Sequence, residues 1–99
     1  MLNQTVLVGR LVDQPQKTEK GENLTLAVPR SFKNENGEYE TDFIPVRTFG
    51  GVAESTCEYV KKGDLIGIKG RLQSTQMASG YTIELIAEKI TFLSTNKGE

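Results

Sequence analysis

The sequence predicts a single all-β domain, a small barrel with one short helix. Three observations lead to this. Runs of two-residue apolar periodicity recur along the chain, glycine, proline and asparagine clusters separate them, and one stretch alone carries a helical stripe. Ninety-nine residues leave room for one core. At 36% apolar and 25% charged, the composition is that of a folded globular chain rather than a disordered one.

The first strand is "TVLVGRLV" (5–12), followed by a loop "DQPQKTEKGEN" broken by proline and glycine. "LTLAV" (24–28) is the second, with strict alternation. A polar stretch, "RSFKNENGEYETDF" (30–43), reads as a loop with an aromatic planted at each end. "FIPVRTF" (43–49) is the third strand. A helix near 52–62 follows, because Val52, Ala53, Thr56, Cys57 and Val60 make one stripe. On it Glu58 reaches Lys62 at i+4, Lys61 and Lys62 suit the negative end of the helix dipole, and Gly63 suits its C′ position. "DLIGIKGRL" (64–72) and "YTIELIAEKITFL" (81–93) are the fourth and fifth strands, with "QSTQMASG" as a hairpin end between them. Five strands with a helix between the third and fourth is the order of an OB-fold, a five-stranded Greek-key barrel. Periodicity by itself leaves other small β-barrels open. The domain is expected over residues 1–93, with 94–99 as a short tail.

Side chains alternate along a strand, so only one set of each strand can face the interior. In the third strand Ile44, Val46 and Thr48 suit the core, because Arg47 has no evident buried partner. Phe43, Arg47 and Phe49 then share the outer face, and aromatic, cation, aromatic is the composition of a surface that stacks bases and neutralises phosphates. In the fourth strand Ile66, Ile68 and Leu72 face inward, with Lys69 and Arg71 outward. In the fifth, Tyr81, Ile83, Leu85 and Ala87 are in phase. The parity then flips to Ile90 and Phe92, which predicts a β-bulge near residues 87–89 and a core position for Phe92. The first strand is apolar on both faces: Val6, Val8 and Val12 against Leu7 and Leu11. A second subunit is the simplest cover for the extra face.

Several functions are excluded. Cys57 is the only cysteine and there is no histidine, so no internal disulfide, no cysteine-based zinc site and no histidine base can be assembled. Cys57 itself reads as a small core residue. No catalytic set, cofactor or metal is expected. No run is long and apolar enough for a membrane helix, and the N-terminus lacks the pattern of a secretory signal, so a cytoplasmic location is expected. The net charge of −1 conceals a segregation. Residues 60–73 carry Lys61, Lys62, Lys69 and Arg71 against Asp64, while Glu35, Glu38, Glu40 and Asp42 share 34–42 with no base.

The blocks "MLNQTVLVGRLVDQP", "LTLAVPRSF", "DFIPVRTFGGVAE" and "YVKKGDLIGIKGRLQS" resemble, in order and spacing, those of the bacterial-type single-stranded DNA-binding protein family, SSB. The similarity covers residues 1–93. It implies an OB-fold that assembles as a homotetramer and binds single-stranded DNA with little sequence preference during replication, recombination or repair; a dimer would also cover the second apolar face of the first strand. It implies stacking by Phe32, Phe43 and Phe49, and phosphate contacts from Arg10, Arg30, Lys33, Lys62, Lys69 and Arg71 beside the Arg47 read from parity. The chain departs from the family's pattern in four ways. It has no tryptophan, and Met77 stands at the hairpin tip where another aromatic is common. Pro45 interrupts the third strand, and the sequence stops at "STNKGE" with no acidic recruiting tip in view. Three other readings are an SSB-derived replication-restart protein of the primosome, a peptide-binding adaptor and an RNA-binding OB-fold.

Overall fold

The computed structural model describes residues 1–52 and 60–94. Six strands run β1 (Thr5–Leu11), β2 (Gln16–Lys17), β3 (Gly21–Lys33), β4 (Tyr39–Phe49), β5 (Leu65–Met77) and β6 (Gly80–Ser94). Their order is β1-β5-β6-β4-β3-β2, and β1 also pairs with β3, which closes five strands into a barrel. All pairings are antiparallel except β4 with β6, which meet in parallel at Val46–Leu85 and Arg47–Ile86. This is the expected OB-fold, with β2 added as a two-residue strand inside the first loop.

A helical turn opens at residues 50–52, where Gly50 takes φ +58°. The expected helix does not extend to its predicted end. Lys61 and Lys62 belong to a turn in which the Asp64 amide donates to the Lys61 carbonyl (3.0 Å) and the Asp64 carboxylate accepts from the Lys61 amide (2.9 Å). Gly63, at φ +92°, makes that turn possible. Ala53, Thr56, Cys57 and Glu58, with the placements expected of them, lie outside the described residues.

The core joins Leu11, Leu24, Leu26, Val46, Val60, Ile66, Ile68, Leu85 and Ala87, with Ile44 and Ile90 packed against it. The inward set of β4 is the predicted one, since Val46 and Thr48 are buried and Ile44 is half-buried. Glu22 follows the same inward parity as Leu24 and Leu26 and is buried, with both carboxylate oxygens lacking a hydrogen-bond partner.

Three expectations are corrected for one reason, that the strands outrun the barrel, and a fourth concerns Phe92. The polar stretch 30–43 is no loop but the upper part of a β3–β4 hairpin. It turns at 34–38, where the Asn34 side chain accepts from the Asn36 and Glu38 amides and Gly37 takes φ +77°. β5 and β6 likewise continue to a two-residue turn, with Met77 opposite Gly80. On that arm Leu72, Tyr81 and Ile83 keep the inward parity but have no core beneath them, and all three are exposed. The bulge in β6 is where the parity flip puts it: Lys69 pairs with Lys89 and Gly70 with Ala87, so Glu88 is the extra residue. Gly70 suits this crossing because a Cβ there would run into the Ile86 carbonyl. Phe92, expected in the core, is 46% exposed at the barrel's end. Pro45 lies opposite Thr25, whose carbonyl accepts from Val12 and so points away from β4. The missing donor of Pro45 therefore breaks no β3–β4 bond.

Candidate nucleic-acid interface

Parity on β4 divides its residues cleanly. Tyr39, Thr41, Phe43, Pro45, Arg47 and Phe49 point outward, and the even positions point to the core or to the back of the arm. Phe43 is 64% exposed and Phe49 37%, values that leave a ring face available on each. Phe43 stands between two shallow grooves. One, of about 340 Å³, is lined by Val8, Arg10, Ala27, Pro29, Thr41 and Leu65. The other includes Asn23, Thr25, Pro45, Arg47 and Glu84.

The register brings Arg10 into the same row as Phe43, with Ala27 between them. Its guanidinium donates to the Gly63 carbonyl at 3.0 Å. Arg47 lies 5.4 Å from the Phe49 ring centroid, a cation–π distance, and donates to Glu84 at 2.8 Å. Arg71 and Arg47 flank Ile86, which is buried on this outer face away from the core cluster. Arg71 approaches Glu88 at 3.5 Å and donates to Gln73 at 2.8 Å. Lys69 sits in a row between Val6 and Lys89.

Phe32 is 65% exposed, within the stretch where β3 bulges against β4 between Pro29 and Lys33. Arg30 is held elsewhere. Its guanidinium donates to both oxygens of Asp42 and to Glu40 at 2.7 Å, and those carboxylates have the inward parity of β4. This bidentate grip holds the Asp42 carboxyl below its ordinary range. Lys62 is in the turn at 61–64, where its amide donates to Gln14, and Met77 is at the exposed tip of the β5–β6 arm.

The structure thus gathers Phe43, Arg47, Phe49 and Arg10 on one face. Lys62 and Met77 lie on separate features, a turn and an arm tip, and Arg30 is tied to its own carboxylates. Two residues on the outer surface were not singled out from sequence. Tyr39 continues the outward parity of β4, a signal already present in the alternation. Lys89 stands directly opposite Lys69, which only the cross-strand register reveals.

The Single-strand binding protein family matches residues 2–93. The chain belongs to that family. It is 41% identical to Single-stranded DNA-binding protein 1 of Clostridium acetobutylicum, covering 97% of both chains. It is 44% identical to a Staphylococcus aureus protein of the same name, over 94% of this chain and 66% of that one. Among solved structures it is similar to the single-stranded DNA binding protein of Thermus aquaticus, with TM-score 0.78, 31% identity, and coverage of 94% of this chain and 50% of the other. The chain therefore spans nearly all of one relative and about half of another. The family and fold implied by the sequence blocks are borne out.

Proposed function

We propose that this protein binds single-stranded DNA without catalysis and with little sequence preference, using the outer face of β4 as its stacking surface. The observation that carries this is Phe43, an exposed ring on a strand whose opposite face is built into the core, with a groove on either side. Bases stack on Phe43 and Phe49, with Phe32 reaching in from the bulge. Arg10, Lys33, Arg47, Lys69 and Arg71 meet phosphates, giving affinity that falls with salt. Lys62 and Met77 extend the contact from the turn and the arm tip. Arg30, held by Glu40 and Asp42, braces the hairpin instead. Membership of the single-strand binding family supports the choice of ligand. The reading places the protein on exposed single strands of the nucleoid.

The same reading includes self-association, as a homotetramer or a dimer, through residues 3–12. Val6 and Val8 expose the outer face of β1, and β1 pairs with β3 only at Arg10 and Leu11. The Thr5–Gly9 edge is thus hydrogen-bonded on its β5 side alone among the described residues, and an edge of that kind is a template for pairing.

The test sets neighbours on opposite faces against each other. Phe43→Ala should weaken binding of a labelled oligo-dT by about 1–3 kcal/mol with little loss of stability. Ile44→Ala, facing the core, should cost about 2 kcal/mol of stability and leave the affinity of the folded protein unchanged. Titrations with oligo-dT, oligo-U and duplex DNA at two salt concentrations fix the ligand. Tight, salt-insensitive binding, or a preference for duplex, overturns the reading.

A further inference from the structure

β4 carries a third outward ring. Tyr39 is 60% exposed, comparable with Phe43, and has the same parity four residues earlier. At ~3.4 Å per residue the spacing from Tyr39 to Phe43 is roughly 14 Å, and from Phe43 to Phe49 roughly 20 Å. The three rings therefore form one row along a single strand. Tyr39 is also furnished as Phe49 is. Its cross-strand partner is Lys33, whose ammonium lies 5.8 Å from the ring centroid, just as Arg47 lies 5.4 Å from Phe49. Each end of β4 thus pairs an exposed ring with a cation on the same face. Two of the nearby carboxylates, Glu40 and Asp42, have the opposite parity and are bound to Arg30, while Glu35 and Glu38 stand in the adjoining 34–38 turn.

We infer that Tyr39 and Lys33 form a further nucleotide-binding position, in which a base stacks on the tyrosine ring and the adjoining phosphate meets the lysine. The bound strand then continues past Phe43 up the β3–β4 arm. This inference rests on the reading of β4 as the stacking surface and lengthens it. The phenol hydroxyl has no part in the stacking, so phenylalanine is an equivalent platform.

The chain has no tryptophan, so its intrinsic fluorescence comes from its three tyrosines, and a base stacked on Tyr39 should quench it. The experiment uses the full chain and oligo-dT of about 16 nucleotides, the upper end of what one OB domain covers. Affinity is read by anisotropy of the labelled strand, and fold by thermal unfolding. Tyr39→Ala should weaken binding about 5- to 100-fold with an unchanged melting temperature. Tyr39→Phe should bind as the parent does but lose part of the tyrosine quench. Lys33→Gln should lower the slope of log affinity against log salt by about 1. Parent-like affinity in Tyr39→Ala overturns the inference, and so does a Tyr39→Phe variant as weak as the alanine. Phe43→Ala, measured alongside, separates the two levels. If it weakens binding while Tyr39→Ala does not, only the extension fails. If neither weakens it, the stacking surface fails with it.

Discussion

Arg47 already has an anion in hand. Its guanidinium donates to Glu84 at 2.8 Å on a half-exposed surface, so a phosphate arriving between Phe43 and Phe49 competes with a carboxylate. Glu84→Gln removes that competitor and keeps the shape. Binding of oligo-dT should strengthen several-fold at low salt, by about 1 kcal/mol or less, and by less at high salt. Weaker binding in this variant would mean that Glu84 positions Arg47 instead of competing for it. The orientation of Arg47 was legible in the sequence, because a cation flanked by Ile44, Val46 and Thr48 has only one face to take. Its partner was not, since Glu84 is 37 residues away and only the parallel β4–β6 pairing brings the two together. Glu22 was missed for a different reason. Glycine and asparagine on either side made it look like loop, whereas it is the first inward residue of β3.

At the scale of elements, the barrel portions of the strands were readable and the arms were not. Apolar alternation records burial, and it stops where a strand rises above the core, although the hydrogen-bonded ladder goes on. The β3–β4 arm relies on polar contacts in place of a core, chiefly Arg30 with Asp42 and Glu40. Hydrogen bonding to Arg30 holds the Asp42 carboxyl below its ordinary 3.8. A depressed carboxyl contributes stability above its unfolded value, and that contribution is lost as pH falls through the folded one. The arm should therefore loosen in acid below about 3.8, before the core does. Amide exchange or NMR line shapes for residues 30–42 would show it. Asp42→Asn should exchange faster already at neutral pH and lose the acid step. An arm that stays protected in the variant would show that the ladder alone suffices.

For the whole molecule, alternation and one helical stripe supplied five strands and a helix but left other small barrels open, and the resemblance of the sequence blocks to the SSB family singled out the order that the strand pairing shows. What the sequence pattern indicated about assembly has a structural counterpart in β1, where Val6 and Val8 lie bare beside Lys69 and Gly67. Sedimentation at micromolar concentration should give a multimer, and Val6→Lys with Val8→Lys together should give a folded monomer. A parent chain that sediments as a monomer removes the basis for self-association.

Setting the rings on a single strand also decides which changes this surface can survive over evolutionary drift. Swapping one flat side chain for another at 39, 43 or 49 leaves the row in place. Gaining or losing one residue between them does not, because it reverses every side chain beyond that point, sending rings inward and Ile44 or Val46 out to water. The length of the segment from Tyr39 to Phe49 is thus more tightly constrained than its lettering. Extra residues have an outlet at the 34–38 turn, beyond the last ring, where an insertion alters the reach of the arm and leaves the row in register.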